Sequence, residues 1–144
     1  MSSVQAASIV LKKHLRRALL ALACAAGAVG AQAQSAMPQW KSEGAVRYVC
    51  GGIGSDESTA MRAAMKDHPL ALLFARSDGA YLADVQVDIK GADGAPSLAL
   101  RASGPVCLVD LPAGRYTIDA AMAGSAKSQT VTVGGGSKTV DFRF

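Results

Sequence analysis

The chain has 144 residues, which is enough for one domain of ordinary size and too few for two. Half of the residues are hydrophobic and only 18% are charged, which excludes a disordered main body. The net charge of +4 comes from four basic residues before position 18, because the other eleven Lys and Arg residues are matched by eleven acidic ones. The neutral remainder argues against a nucleic-acid partner.

The first 33 residues have the pattern of a secretory signal peptide. Residues 12–17 form a positively charged segment with four Lys and Arg residues, and residues 18–30 are uncharged and rich in Ala and Leu. Ala31 and Ala33 supply the small residues at the −3 and −1 positions of a signal-peptidase site. Cleavage after Ala33 predicts a mature chain of residues 34–144 that is periplasmic or secreted.

Cys24 offers an alternative for this segment, because small residues precede it as in a lipoprotein signal. Against lipidation, Ala21 rather than Leu stands three residues before Cys24, and the apolar stretch continues past it. No later hydrophobic run is long enough to cross a bilayer, so we expect no membrane span in the mature chain.

Export changes the expected chemistry of the two remaining cysteines. Cys50 and Cys107 remain after cleavage. An even number of cysteines in an oxidising compartment predicts a disulfide. It would close a loop of 57 residues and stabilise the fold by about 4 kcal/mol. The alternative is two separate buried thiols.

The mature chain begins with elements of mixed character. Residues 34–43 are polar and predict a flexible leader, and residues 44–69 hold a first strand and a short helix. The strand covers residues 45–50, and the helix covers residues 56–67 with Ser55 as its N-cap. The helix ends before Pro69, because the residue preceding a proline avoids the α region.

From residue 70 the apolar residues recur with period two, which predicts strands. Turn signals rich in Gly, Pro and Asp separate them. The predicted strands lie within residues 70–75, 85–89, 98–101, 106–109, 116–120, 130–133 and 140–144. Residues 106–109 are apolar on both faces, so we expect this strand to face the core on one side and the Cys50 segment or the helix on the other.

These elements predict a mainly β fold, a seven- to eight-stranded Greek-key β-sandwich with one short N-terminal helix. Residues 70–144 would form the sandwich, with residues 44–69 packed against it as part of one domain.

The second half of the chain resembles a carboxypeptidase regulatory-like domain, a transthyretin-like (prealbumin-like) sandwich. The resemblance depends most on the turn Leu111-Pro112-Ala113-Gly114-Arg115-Tyr116. Further matching segments are residues 83–87, 104–110, 117–118, 131–133 and 140–142. It implies a seven-stranded fold and a non-catalytic role as an appendage, a spacer or an interaction surface. The 5-hydroxyisourate-hydrolysing branch of that fold is excluded, because it needs several histidines and a C-terminal Tyr-Arg-Gly-Ser that this chain lacks.

His68 is the only histidine after residue 33, and catalytic triads and zinc sites need partners for it. Asp67 is adjacent and would not face it on a helix. We therefore expect His68 to interact with the helix C-terminus, and we predict no catalytic residues.

Two further patterns invite functional readings that the residues do not favour. The Gly51–Ser55 segment precedes a helix but lacks the Lys-Ser/Thr of a phosphate loop, so we expect a joint into a capped helix. Asp78, Asp84, Asp88 and Asp93 are spread over strands and turns, which predicts solvated charge rather than a calcium site. We predict no metal and no cofactor.

The resulting hypothesis is an exported non-catalytic module that contacts a protein or another envelope component. Its surface would lie on the helix side, at Met61 and Met65, or at exposed strand edges, which would also favour homo-oligomers. The alternative is a small-ligand or carbohydrate-binding module that uses Trp40 and Tyr81. An enzyme would require His68 within hydrogen-bond reach of a nucleophile or a carboxylate.

Overall fold

A computed structural model describes residues 36–144 of the chain. The proposed signal peptide, its Ala31 and Ala33 cleavage site and Cys24 lie outside the described residues. The strands are β1 (Lys41–Glu43), β2 (Val46–Gly51), β3 (Leu70–Ala75), β4 (Val85–Gly91), β5 (Leu98–Ala102), β6 (Val106–Asp110), β7 (Gly114–Met122), β8 (Ser125–Val133) and β9 (Lys138–Arg143). One helix, α1 (Ser55–Ala64), lies between β2 and β3 and continues into a 3₁₀ turn over Met65–Asp67.

The strands form two sheets, which confirms the predicted mainly β class. The first sheet has the order β1-β2-β6-β3-β9, and the second has the order β5-β4-β7-β8. All neighbouring strands are antiparallel except β3 and β9, which run parallel and make the first sheet mixed.

The described residues hold nine strands rather than seven or eight, because the segment predicted to be a flexible leader contributes β1. This three-residue strand pairs with β2, placing Lys41 opposite Tyr48. Immediately before it, the ring of Trp40 packs against the cluster beneath α1. Burial of part of this large ring stabilises an ordered segment where the polar composition suggested a loose one.

The main core lies between the two sheets. Alternate residues of β4, β7 and β9 project into it, as the period-two pattern predicted. Phe74 of β3 stacks on Phe142 of β9, with ring centroids 5.7 Å apart. The largest fully buried side chain is that of Tyr116.

Strand β6 is buried on both faces, which confirms the interpretation of its continuous apolar run. Cys107 and Val109 face the main core, whereas Val106 and Leu108 face a second cluster that contains Met61 of α1. The Cys50 segment does not cover a face of β6, because β2 lies beside β6 in the same sheet.

The helix is shorter than the predicted residues 56–67. Gly54 rather than Ser55 is its N-cap, and no side chain makes a capping hydrogen bond there. The last predicted turn tightens into the 3₁₀ turn, after which His68 adopts an extended conformation ahead of Pro69.

The turn that carries the family resemblance closes on a tyrosine. The buried Tyr116 hydroxyl donates a hydrogen bond to the carbonyl oxygen of Pro112 at 2.7 Å. Burial raises the pKa of Tyr116. A tyrosine that bonds back to the backbone a few residues upstream fixes the corner of a sandwich, so this turn has a structural role.

Candidate functional site

Four side chains meet around β2, β6 and the start of β3, and we call them the His68 cluster: Trp40, Arg47, His68 and Asp110. His68 Nδ1 lies 2.7 Å from Asp110 Oδ1, and Arg47 Nη2 donates to Asp110 Oδ2 at 3.0 Å. The Trp40 ring lies 4.8 Å from the His68 ring, and the Arg47 guanidinium lies 5.0 Å from the Trp40 ring centroid. The cluster therefore combines a hydrogen-bonded carboxylate with a cation–π contact.

Strand pairing brings these distant residues together. The register of β2 with β6 places Arg47 opposite Asp110. On the other side of β6, Leu70 pairs with Val109, so His68 approaches Asp110 just before β3 begins. The extended backbone at His68 turns its side chain toward β6 instead of the helix end. The expected interaction of His68 with the helix C-terminus is therefore wrong.

The charge state of Asp110 follows from its partners. Partial burial alone would raise the pKa of Asp110, but hydrogen bonds from His68 and Arg47, together with their charges, hold that pKa below its ordinary value. An ionised carboxylate only accepts hydrogen bonds, so His68 Nδ1 carries the proton. In neutral His68 the lone pair then lies on Nε2, which has no hydrogen-bond partner among residues 36–144 and is not sealed from solvent.

His68 also lines a cleft of about 370 Å³ opposite the Gly134–Gly136 loop and Ser137. The Ser137 hydroxyl donates to the carbonyl oxygen of Met65 at 2.8 Å. Within the described part of the chain, no hydrogen bond joins His68 to Ser137 or to another hydroxyl. The structure thus supplies the carboxylate that an enzyme would require, but brings no nucleophile to the imidazole.

The two rings assigned to carbohydrate binding are engaged separately. Trp40 is half-buried by the His68 cluster and the core beneath α1. Tyr81 is 52% exposed, and the guanidinium of Arg62 covers its ring at 4.5 Å. Each ring therefore already has a partner within the chain.

The glycine-rich segment before α1 is occupied by the protein itself. The Gly52 amide donates to Glu57 Oε1 at 2.8 Å, so a side chain of the first helical turn fills the position an anion would take.

The four aspartates considered for calcium lie apart in separate turns and strands. Asp78 accepts a hydrogen bond from the Ala80 amide and pairs with Arg76, and Asp84 lies 3.6 Å from Arg101. Over residues 36–144, no three His, Cys, Asp or Glu side chains are grouped closely enough to hold a metal ion.

The structure joins Cys50 and Cys107 by a disulfide. These residues are direct partners in the β2–β6 register, so the bond crosses between neighbouring strands. Cys107 is fully buried, and Cys50 is partly accessible.

The methionines proposed as an interaction surface face inward. Met61 is fully buried under α1, and Met65 packs against the same cluster. The helix-side surface expected at these residues is therefore wrong, and the exposed strand edges are the other predicted location.

Strand β8 is an edge strand of nine residues, the longest edge in the described structure. The other edges are β1 with three residues, β5 with five and β9 with six. β1 carries two charged side chains and β9 carries three, whereas β5 and the longer β8 carry one each, Arg101 and Lys127. A long edge with few charges and no proline invites pairing with another strand.

The backbone groups on the free side of β8 follow from its hairpin. Ala123 and Gly124 both have positive φ, which is typical of a two-residue type I′ turn. Met122 and Ser125 are then a hydrogen-bonded pair, and such pairs alternate along the antiparallel strands. The amides that point away from β7 belong to Ala126, Ser128, Thr130 and Thr132, all of which are exposed.

Comparison with protein-family models, with curated proteins and with solved structures gives no match for this chain. Among the residues that the structure describes, no helix is long and apolar enough to cross a membrane.

Two members of the His68 cluster, Asp110 and Arg47, were not predicted from the sequence. Asp110 and Arg47 lie 42 and 63 positions away from their partners His68 and Asp110. The available signal was their position at the ends of predicted strands, which becomes informative only once the strand order is known.

Proposed function

We propose that this chain is an exported, non-catalytic β-sandwich module that acts as a protein-interaction component of the cell envelope, periplasmic or secreted after cleavage at Ala33. The signal-peptide pattern and a cross-strand disulfide support export. The partner contact we propose is strand addition: an extended segment of an envelope protein pairs with β8.

The free edge of β8 is the observation that carries this proposal. In the described structure, no strand pairs with the outward backbone N–H and C=O groups of Ala126, Ser128, Thr130 and Thr132. The side chains at the same positions are Ala, Ser and Thr, which are small enough for another strand to approach. At the sandwich edge, Gln129 Nε2 donates to the carbonyl oxygen of Asp141, which links β8 to β9 and steadies the strand.

A transthyretin-like Greek-key arrangement is the finer fold we propose. It is supported by a four-stranded sheet facing a larger one, and by the Leu111–Tyr116 turn that closes on the Tyr116 hydroxyl. In that fold the recognisable residues build turns and core, so the resemblance is compatible with a role as an interaction module.

A non-catalytic role is supported by the composition of the His68 cluster. His68 and Asp110 could orient a base, but the nearby Ser137 hydroxyl is directed at a backbone carbonyl. Arg47 also binds the carboxylate, and the Trp40 ring packs against the imidazole at a tilt, so the cluster connects the N-terminal segment to β6.

Capture of cross-linked partners from envelope extract tests the edge directly, using the Thr130→Pro variant and the matched Thr130→Ala variant. Proline removes the outward amide of Thr130, whereas alanine removes only its side chain. We expect the wild type and Thr130→Ala to retain one partner and Thr130→Pro to lose it. Equal recovery of the partner by all three proteins would contradict strand addition. If the isolated chain sediments as a dimer and Thr130→Pro abolishes that dimer, the strand that pairs with β8 belongs to a second copy of this chain.

A further inference from the structure

A second, smaller cleft lies at the sandwich edge opposite β8. It has a volume of about 230 Å³ and lies where the N-terminal segment and β2 face β5. Its lining consists of Pro38, Gln39, Lys41, Tyr48, Val49, Cys50, Arg101 and Ser103. We call it the Lys41–Arg101 cleft.

The lining carries two cations and no acidic side chain. Lys41 has no ion-pair partner in the described residues. Arg101 has a single contact of this kind, 3.6 Å from Asp84, and both side chains are largely exposed. A solvent-exposed pair at that distance contributes little, so the Arg101 guanidinium is available to another anion.

Neutral donors stand beside these charges. The Tyr48 hydroxyl and the Gln39 amide have no hydrogen-bond partners within residues 36–144, although both residues line the cleft. The β1–β2 register places Lys41 directly opposite Tyr48, and directly opposed side chains project from the same face of a sheet. Residues that carry an ammonium, a hydroxyl, an amide and a guanidinium group thus line one cleft.

The Ser103 hydroxyl donates to the carbonyl oxygen of Cys50 at 3.0 Å. The rest of the lining is apolar and consists of Pro38, the half-buried ring of Tyr48, Val49 and Cys50. A concave site with a few convergent polar groups over apolar contacts is the usual form of a small-ligand pocket. The volume is below the range of drug-sized pockets, which limits the ligand to a small molecule.

We propose that the Lys41–Arg101 cleft binds a small organic carboxylate. The planar guanidinium of Arg101 matches the geometry of a carboxylate group, and Lys41 adds a second positive charge. Tyr48 and Gln39 donate to the remaining oxygen lone pairs, while the short apolar body of the ligand contacts Pro38 and the Tyr48 ring. This site is separate from the β8 edge and does not depend on strand addition.

The test is titration of the mature chain with benzoate, followed by amide chemical shifts in NMR. Benzamide is the neutral control, because it has the same shape without the charge. We expect saturable shifts at Gln39, Lys41, Tyr48, Arg101 and Ser103 with benzoate, and none with benzamide.

Variants distinguish this cleft from general attraction to basic residues. Arg101→Gln and Lys41→Gln should each weaken benzoate binding by about tenfold, the effect of losing one charge-assisted hydrogen bond. Lys127→Gln, which removes an exposed lysine on β8, should leave the affinity unchanged. All three changes lie on the surface, so the fold should persist. Shifts that do not saturate, or an equal loss of affinity in Lys127→Gln, would overturn the proposal.

Discussion

His68 and Asp110, 42 positions apart in sequence, lie in hydrogen-bond contact at 2.7 Å between Nδ1 and Oδ1. The contact links the residue after the helical segment to the end of β6. Arg47 binds the other carboxylate oxygen, so the same carboxylate also connects β2. The tilted contact of Trp40 with the imidazole joins the N-terminal segment to His68. Asp110 should therefore matter for stability more than a surface aspartate.

Replacing Asp110 with Asn should destabilise the fold by about 1–2 kcal/mol at pH 7, because charge-assisted hydrogen bonds to a partly buried group are lost. The folded state lowers the pKa of Asp110 below its ordinary 3.8. Its contribution is therefore complete above that value and is lost as the pH falls through the folded pKa. In urea unfolding between pH 7 and pH 3, the difference in stability between wild type and Asp110→Asn should begin to shrink once the pH falls below 3.8.

The control for this experiment is Asp67→Asn. Asp67 pairs with Lys66 at 3.4 Å on an exposed surface, where an ion pair contributes little. Its stability should follow that of the wild type at every pH. A constant difference between wild type and Asp110→Asn down to pH 3 would show that the lost stability does not come from the ionised carboxylate.

Replacing Tyr116 with Phe should cost about 1 kcal/mol, because the buried hydroxyl bonds the Pro112 carbonyl at 2.7 Å. Exposed Tyr81→Phe is the matched control and should change the stability by less than about 0.5 kcal/mol. Chemical denaturation at pH 7 measures both. A Tyr116→Phe variant as stable as the wild type would remove the structural role assigned to this corner.

Removing the disulfide with the double change Cys50→Ala and Cys107→Ala should lower the free energy of unfolding by about 4 kcal/mol, because a loop of 57 residues is no longer closed in the unfolded chain. Denaturation with and without a reductant measures the effect. The reductant should shift the wild type and leave the double variant unchanged. Identical midpoints for reduced and oxidised wild type would argue for two thiols.

Proline substitution along β8 should separate the two sides of the strand. Thr130→Pro loses an amide that faces away from β7, so it should retain the fold with a small loss of stability. Gln129→Pro removes a ladder hydrogen bond to β7 and the side-chain bond to the Asp141 carbonyl oxygen, so it should cost more stability than Thr130→Pro. Thermal unfolding compares the two variants, and a larger loss in Thr130→Pro would mean that the assigned alternation is reversed.

The sequence was sufficient for the elements whose apolar residues alternate. Val85, Val87 and Ile89 of β4 are buried on one face, and the apolar run of β6 is buried on both. These strands could be predicted because the burial of an apolar side chain depends on its own chemistry and on its alternation along the strand.

Other features were beyond the sequence because they depend on residues far apart. The first part of β8 has no apolar alternation, and all six of its first residues are exposed at the edge of the sheet. The strand forms because its backbone pairs with β7 along the whole length of their hairpin. Likewise, neither Asp110 nor Arg47 has a local pattern that points to His68, and only the order β2-β6-β3 brings them together.

Amide hydrogen exchange along β8 tests the central claim most directly. In the isolated mature chain, the amides of Ala126, Ser128, Thr130 and Thr132 should exchange rapidly, while those of Lys127, Gln129 and Val131 should be protected by β7. After the captured envelope partner is added, the first group should become protected as well. If the partner binds and these four amides still exchange as fast as before, β8 is not the binding edge.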